Sequence, residues 1–161
     1  MPAVPEINEC EPLVFREGTE ADLGAVLDIY AQGDLDDGRR LGASQAREVL
    51  SRFRRYPDYR LYVALLAGRI VGAFSLLIMD NLGHAGTPAA IVEDVGVHED
   101  FRRHGVGRRM IEYAIEQARA RGCYKLSLSS NNQRQDAHRF YDALGFKRHG
   151  ITFSIELIRD S

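Results

Sequence analysis

The 161-residue sequence contains no tryptophan, only two cysteines and no apolar run long enough to span a bilayer. Its two thiols, Cys10 and Cys123, cannot build the disulfide framework of a small secreted domain, and they lack metal-ligand spacing. Residues 1–12 carry acids and prolines where a signal peptide needs a basic and then an apolar stretch. The sequence therefore predicts a loose leader over residues 1–12, reduced thiols and a cytoplasmic location.

Neither sign of charge dominates the composition. Lysines and arginines number 21 against 23 aspartates and glutamates, and the net charge is −2. Such a chain has no general attraction for nucleic acid or for anionic membranes, so neither partner is expected, and any anion site must be local. The histidines His84, His98 and His149 share no metal-ligand spacing, so no metal is expected. The length suits one domain, which we assign to residues 13–161.

The order of the predicted elements indicates an α/β fold with a mixed sheet. The predicted strands cover residues 13–16, 60–66, 69–79, 90–97, 124–128 and 151–158, and the predicted helices begin near Thr19, Ser44, Gly105 and Asp136. Ala67-Gly68 is typical of a tight hairpin connection. Meandering strands come first and strand–helix units follow. This order predicts a central mixed antiparallel and parallel sheet of six to seven strands, with helices on both faces.

The most specific local pattern is the glycine turn Arg102-Arg103-His104-Gly105-Val106-Gly107, which follows a predicted strand and opens a predicted helix. Its two glycines let the backbone approach a phosphate closely, and the helix N-terminus adds about half a positive charge. Further positive charge comes from Arg102, Arg103, Arg108 and Arg109. Such a turn also marks ordinary strand-to-helix connections, so by itself it leaves both interpretations open.

The turn lies within a run that resembles the GNAT superfamily of acyl-CoA N-acetyltransferases. The resembling segments are Val97-His98-Glu99-Asp100-Phe101-Arg102-Arg103-His104-Gly105-Val106-Gly107 with the following long helix, and Ala137-His138-Arg139-Phe140-Tyr141-Asp142-Ala143-Leu144-Gly145-Phe146. Both occur in the family's order, and the earlier strands and helices match its layout. The resemblance covers nearly the whole chain after the leader. It implies a GNAT-like fold, acetyl-CoA as co-substrate and, as is common in the family, a homodimer.

The resemblance also implies which residues bind the cofactor. These are Val95, Gly96, Val97, Arg102, Arg103, His104, Gly105, Val106, Gly107, Arg108, Asn131, Arg134 and Phe140. The turn would cradle the pyrophosphate through its backbone amides, and the strand before it would pair with the pantetheine arm as an added strand does. Arg103 and His104 depart from the family's usual glycine and glutamine or lysine, but they keep the backbone donors. Arg134 stands where the family often has asparagine, which leaves Asn131 or Asn132 as the substitute.

Acetyl transfer to an amine needs a base, because an alkyl amine with a pKa of about 10.4 arrives protonated. Glu93 and Asp94 are the candidates, since they precede the turn among apolar residues that would raise a carboxyl pKa. Successive strand side chains point to opposite faces, so we expect only one of the two to meet the amine. Glu93 is favoured, directly or through a water. The alternatives are that one or both carboxylates form structural ion pairs, or that they help to hold the substrate without moving protons. The backbone N–H of Val95, or of a neighbour where the strand opens, is the candidate donor to the thioester oxygen.

Tyr141 is the candidate general acid, because a phenol can protonate the departing thiolate. Its spacing with Ala137, Phe140 and Leu144 fits an apolar helical stripe, so periodicity alone favours core packing. The resemblance, however, implies that a tyrosine of this motif lies beside the thioester sulfur.

The acceptor is expected to be a small-molecule amine. Glu93-Asp94-Val95 with Gly122-Cys123-Tyr124-Lys125-Leu126 resembles glucosamine-6-phosphate N-acetyltransferases, whereas Arg134-Gln135-Asp136-Ala137-His138-Arg139-Phe140-Tyr141 resembles aminoalkylphosphonate N-acetyltransferases. Both branches act on amines with a phosphorus oxyanion, which Arg134 and His138 would suit. A protein or peptide N-acetyltransferase and a non-catalytic acyl-CoA-binding module are the alternatives. A nucleotide-binding domain would need a second motif for ribose or magnesium, which the sequence lacks.

Overall fold

The computed structural model describes residues 12–33 and 35–158. The chain divides into two compact units, Met1–Leu128 and Ser129–Ser161, and each is described here by itself. Cys10 and residues 1–11 of the predicted leader lie outside the described residues. Cys123 is a free, half-buried thiol, and burial raises its pKa.

The described residues of the first unit form one five-stranded sheet with three α-helices. The strands are β1 (Val14–Glu17), β2 (Tyr59–Leu66), β3 (Arg69–Met79), β4 (Ala89–Val97) and β5 (Leu126–Ser127), and the helices are α1 (Leu23–Gln32), α2 (Ala43–Phe53) and α3 (Val106–Ala120). The strands lie in chain order, the first four antiparallel and β5 parallel to β4. The predicted mixed sheet is confirmed, with five strands instead of six to seven.

Local sequence explains where these elements begin and turn. Ala67 and Gly68 both adopt left-handed backbone, with φ of 49° and 76°, which suits the twist of a two-residue hairpin between β2 and β3. Ahead of α1, Asp22 accepts a hydrogen bond from the backbone N–H of Thr19 at 2.7 Å. Arg16 donates to both oxygens of Asp22 at 2.6 and 2.8 Å, and this guanidinium lowers the pKa of Asp22 to about 2.

Helices cover both faces of the sheet. On one face, which we call the α1/α2 face, the buried core consists of Leu23, Val26, Leu27, Ala46, Leu61, Val63 and Ala73. On the other face, α3 approaches β3 so closely that a Cβ at Gly72 would lie 2.5 Å from the sulfur of Met110. Since strand side chains alternate, Ser75, two residues beyond Ala73, also faces the α1/α2 side. The predicted covering of both faces is confirmed.

The second unit contains helix α4 (Gln135–Ala143), which ends before Gly145 at a left-handed φ of 86°. The helix predicted from Asp136 is therefore confirmed. The strand predicted over residues 151–158 is wrong. That segment pairs with no strand among the described residues, and its alternating apolar side chains are 82–91% exposed at Ile151, Phe153, Ile155 and Leu157. The strand predicted over residues 124–128 is shortened to β5, because only Leu126 and Ser127 pair with β4.

Among the helices of the described residues, none combines the length and the apolar character needed to cross a bilayer.

Candidate active site

A β-bulge in β4 shapes the candidate site. Ser75 of β3 pairs with Glu93, but Ala73 pairs with Gly96, so that Asp94 and Val95 lie opposite a single residue of β3. Asp94 has a φ of 53°, a left-handed conformation that aspartate tolerates better than most residues. The regular alternation that the sequence analysis assumed for Glu93 and Asp94 therefore fails at this point.

The bulge brings two carboxylates close together. Partial burial raises the pKa of Glu93, and the charge of Asp94 raises it further. Burial also raises the pKa of Asp94, and the charge of Asp36 adds to that increase. Among the described residues, no side-chain hydrogen bond or ion pair involves the carboxylate of Glu93 or of Asp94. The described contacts thus give no support to the ion-pair interpretation, and the raised pKa of each carboxyl makes it a stronger base.

Tyr59, at the start of β2, is a candidate site residue that the sequence analysis did not identify. Its ring stacks on Phe53 of α2 with centroids 3.9 Å apart, and it meets Tyr56 edge-on at 5.2 Å. Burial raises the pKa of Tyr59, and the charges of Asp94 and Glu93 raise it further. By the register of the sheet, Tyr59 also lies on the same face as Glu93, because Leu61, two residues on, is aligned through Ser75 with Glu93.

Tyr62, which also belongs to β2, does not share the position of Tyr59. Tyr62 lies on the opposite face, where it stacks near Phe74 at 5.3 Å and accepts a hydrogen bond from Arg121 at 3.3 Å. The odd spacing between Tyr59 and Tyr62 within one strand was the signal that could have separated them.

Tyr30 of α1 completes the α1/α2 side of the site. Its hydroxyl oxygen is buried and has no hydrogen-bond partner among the described residues. Burial raises the pKa of Tyr30, and the charge of Asp94 adds to the increase. A Cβ at Gly96 would lie 2.9 Å from Cγ2 of Ile29 and 3.1 Å from Cδ1 of Tyr30. Only glycine at position 96 lets β4 pack this closely against α1.

One edge of β4 is largely unpaired within the sheet. Among the described strands, β5 pairs with β4 at Ala90 and Ile91, and the remainder of β4 pairs with β3 alone. Residues 95–97, predicted to bind the pantetheine arm, lie along this unpaired edge. An open strand edge offers backbone donors and acceptors to an extended ligand.

The glycine turn leads from β4 into α3. Arg103 and Gly105 adopt left-handed φ values of 64° and 78°, and α3 begins at Val106. The backbone N–H of Arg109 donates to the carbonyl of Gly105 at 3.1 Å, so the amides of residues 106–108 precede the helical ladder. Amides in the first turn of a helix suit an anion.

The arginines around the turn differ in their contacts. Arg102 donates to the carbonyls of Val97 at 3.2 Å and of Gln32 at 3.3 Å, so it joins the end of β4 to the end of α1. Arg108 and Arg109 each lie 3.7 Å from Glu112. The side chains of Arg103 and His104 are exposed. Much of the local positive charge is therefore engaged within the protein, and the backbone amides are the principal anion donors.

The second unit carries the candidate acid. Tyr141 of α4 meets Phe140 and Phe146 edge-on, with ring centroids 5.1 and 5.6 Å away. Burial raises the pKa of Tyr141, and the charge of Arg134, at the N-cap of α4, opposes this increase. The phenol is thus held in its protonated form at neutral pH.

The loop before α4 is organised around Asn131. Its side-chain oxygen accepts from the backbone N–H of Gln133 at 2.9 Å, and its carbonyl lies 2.9 Å from Nε2 of His138. These contacts fix the start of α4. Among the residues that the structure describes, no three histidine, cysteine, aspartate or glutamate side chains gather as metal ligands would.

Known proteins resemble this chain. A model of the acetyltransferase (GNAT) family matches residues 28–146. The chain is 30% identical over 146 residues to glucosamine 6-phosphate N-acetyltransferase from Trypanosoma brucei brucei, covering 90% of this chain and 96% of that protein. It is 36% identical over 98 residues to aminoalkylphosphonate N-acetyltransferase from Salmonella typhimurium, covering 61% and 63%. A crystal structure of a transcriptional regulator from Bacillus halodurans superposes with a TM-score of 0.83 at 30% identity, covering 91% and 100%.

Proposed function

The chain belongs to the GNAT acetyltransferase family, and on that premise we propose that it transfers an acetyl group from acetyl-CoA to the primary amine of a small molecule bearing a phosphate or phosphonate. The observation that carries the proposal is the bulge in β4. It gathers two carboxylates of raised pKa on the strand whose unpaired edge leads into the helix N-terminus of the glycine turn. One short segment, residues 93–108, thus carries the candidate base, then the unpaired strand edge, and then the backbone amides that suit an anion.

Residues of the first unit suit acetyl-CoA. The backbone of Val95, Gly96 and Val97 would pair with the pantetheine arm, and the amides of residues 106–108 would hold the pyrophosphate. Neither role depends on a particular side chain, so the unusual Arg103 and His104 do not weaken it.

In the proposed reaction, Glu93 accepts a proton from the ammonium group, directly or through one water. The nitrogen then attacks the thioester carbon, and the backbone N–H of Val95 donates to the oxygen as negative charge develops there. The C–S bond breaks, the attached nitrogen releases its second proton to solvent to give the neutral amide, and the thiolate takes the phenol proton of Tyr141. Glu93 returns its proton to solvent, and Tyr141 recovers one from it.

The acceptor's oxyanion is assigned to Arg134, assisted by His138. A guanidinium binds phosphate or phosphonate through two parallel hydrogen bonds. Support comes from Arg134's position at the N-cap of α4, where the helix dipole also favours an anion, and from the phosphorus-bearing substrates in the names of the two relatives.

The proposal includes a single catalytic domain from residue 13 onwards, a cytoplasmic location and a homodimer. The exposed segment 151–158 supports the dimer, since an extended chain with alternating apolar side chains is suited to pairing with a strand of a second copy. Sedimentation of the wild type and of Ile155→Lys tests this: a dimer that the substitution dissociates is expected, and a monomeric wild type would contradict it.

Thiol release from acetyl-CoA, measured with a panel of amines, tests the proposed function. The panel pairs glucosamine 6-phosphate with glucosamine, and 2-aminoethylphosphonate with ethanolamine, and it includes a lysine-containing peptide. Higher kcat/KM for the phosphorus-bearing member of a pair is expected. Release with the peptide alone would indicate a protein acetyltransferase, and acetyl-CoA binding without release would indicate a non-catalytic module.

A further inference from the structure

Two hydroxyl groups on the α1/α2 face have no structural explanation. Tyrosines aside, the buried polar or charged side chains of the described residues are Asp22 and Ser75, at 5% and 2% exposed. Asp22 is paired with Arg16, whereas Ser75 interrupts the apolar interior of β3. The buried hydroxyl of Tyr30 also lacks a hydrogen-bond partner among the described residues. Buried polar groups of this kind cost free energy unless they are used.

These hydroxyls lie beside a third, that of Tyr59. The hydroxyl of Ser75 is near enough to both Tyr30 and Tyr59 to offset part of the pKa increase that burial gives each phenol. In the sheet, Ser75 pairs with Leu61 on one side and with Glu93 on the other. Tyr59, two residues before Leu61, is therefore a diagonal neighbour of Ser75 on the same face.

The three hydroxyls come from three different elements and follow the order Tyr30 of α1, Ser75 of β3 and Tyr59 of β2. Tyr59 is the end that lies near both Glu93 and Asp94. Tyr30 is the buried end, and Ser75 is near both phenols. Hydroxyls arranged in this way can donate to one another in series, and each bond in such a chain strengthens the next.

An ammonium group is a donor only, with three N–H bonds to satisfy. A carboxylate can accept a hydrogen bond from one of these N–H bonds. A phenol oxygen can accept a hydrogen bond from another without removing the proton that the base must take. If Tyr59 donates to Ser75 and Ser75 donates to Tyr30, the phenol oxygen of Tyr59 keeps its lone pairs to accept from the amine, and each donation strengthens the next. The stacking of Tyr59 on Phe53 fixes the ring plane and so the direction of that oxygen.

We propose that Tyr59 contacts the acceptor's ammonium group and orients it toward Glu93, and that Ser75 and Tyr30 are positioning residues that act through Tyr59. This inference rests on the proposed function and extends it. It assigns the recognition of the amine to a hydroxyl chain on the α1/α2 face, separately from the recognition of the acceptor's oxyanion.

The test is a double-mutant cycle on amine binding. Tyr59→Phe keeps the ring stack and removes the hydroxyl, so the KM for the amine should rise about tenfold, the scale of a hydrogen bond to a charged group. Ser75→Ala and Tyr30→Phe should each raise it about threefold in the wild type. In the Tyr59→Phe background neither should have a further effect, because they act only through Tyr59. The KM for acetyl-CoA should not change.

Tyr56→Phe is the matched control, because Tyr56 shares the same aromatic group but is 52% exposed, and its variant should match the wild type. The amine is whichever of glucosamine 6-phosphate and 2-aminoethylphosphonate the wild type acetylates faster. An unchanged amine KM in Tyr59→Phe, or effects of Ser75→Ala that are equal in both backgrounds, would overturn this inference and leave the proposed function standing. A wild type without amine-dependent thiol release would overturn both.

Discussion

Ser75 of β3 lies directly opposite Glu93 of β4, and the next aligned pair, Ala73 with Gly96, is reached after two residues on β3 and three on β4. The extra residue on β4 is accommodated by the left-handed backbone of Asp94. Because of this extra residue, Glu93 and Gly96, three positions apart, both face α1 and α2, and the strand bends between them. The proposed base, the carboxylate of Glu93, can then lie on the α1/α2 face of β4, while the backbone of residues 95–97 offers its edge to the cofactor.

Replacing each of the two carboxylates in turn by its amide identifies the base. Glu93→Gln should lower kcat/KM for the amine by about 10²–10⁴-fold, the scale of general-base catalysis. Asp94→Asn should retain turnover, since asparagine tolerates the left-handed backbone. Loss of turnover in Asp94→Asn with retention in Glu93→Gln would make Asp94 the base.

The pH dependence gives a second measurement on the same pair. Glu93 must be deprotonated to act, and its pKa is raised above the ordinary value of 4.5, so the acid limb of kcat/KM should lie above pH 4.5. Asp94→Asn removes the neighbouring negative charge, which should lower the pKa of Glu93 and move this limb to lower pH. A limb that stays in place would show that Glu93 does not control it.

Charge at the glycine turn should control cofactor affinity. Nothing lies within 4 Å of where a Cβ at Gly105 would stand, so Gly105→Asp fits without a clash but brings a negative charge to the proposed pyrophosphate site. Calorimetry should show loss of acetyl-CoA binding with the fold retained. Gly105→Asn is the control, because it has the same shape and backbone tolerance without the charge, and it should bind more tightly than Gly105→Asp. Dephospho-CoA should bind the wild type nearly as well as acetyl-CoA.

The phenol of Tyr141 is tested by removing its hydroxyl alone. Tyr141→Phe preserves the edge-on contacts with Phe140 and Phe146, so the melting temperature should change little. The kcat should fall about 10²-fold if the phenol protonates the leaving thiolate. Tyr124→Phe serves as the control for removal of a tyrosine hydroxyl elsewhere. Normal turnover in Tyr141→Phe would mean that the thiolate takes its proton from another source.

Recognition of the acceptor's oxyanion should depend on Arg134. Arg134→Gln should raise the KM for 2-aminoethylphosphonate roughly tenfold to a hundredfold and leave ethanolamine unaffected, since a hydrogen bond between charged groups contributes about 1.5–3 kcal/mol. The affinity for acetyl-CoA should stay the same. Arg139→Gln is the control, because Arg139 is an exposed residue of the same helix that pairs with Asp136. Equal losses with both amines would make Arg134 structural or cofactor-binding.

The pair of Arg16 and Asp22 should stabilise the fold in a pH-dependent way. The pKa of Asp22 falls from 3.8 to about 2 on folding, so its contribution is complete above about pH 4 and is lost as the pH falls toward 2. Asp22→Asn should lower the free energy of unfolding at pH 7 by about 2 kcal/mol, and by less at pH 3. Urea denaturation at both pH values measures the difference. Glu20→Gln in the same turn is the control, and a deficit independent of pH would contradict the assignment.

Local patterns predicted the elements whose signals are contained in the sequence itself. The Ala67-Gly68 turn defined the hairpin, and the glycine turn at Gly105 defined the start of α3. The segment 151–158 had the alternation of a strand, but alternation does not reveal whether a neighbouring backbone is present to pair with it. That part of the fold was therefore predicted wrongly.

The sequence likewise predicted one part of the candidate site and not the other. Glu93, Asp94 and the glycine turn were identified from residue types and their order. The bulge was not, because a left-handed aspartate inside a strand is set by the register with β3, not by its own neighbours. The roles proposed for Tyr59 and Ser75 were not foreseen, because they depend on the face of the sheet that both residues share with Glu93.

The close packing at Gly96 has a consequence for the order in which ligands bind. One side of this residue faces the ring of Tyr30, and its backbone belongs to the edge proposed for the pantetheine arm. Any shift of β4 caused by the cofactor would therefore move Tyr30, and with it the hydroxyl chain proposed to bind the amine. Thermodynamic linkage then requires reciprocity: whatever factor acetyl-CoA applies to amine affinity, the amine applies to acetyl-CoA affinity.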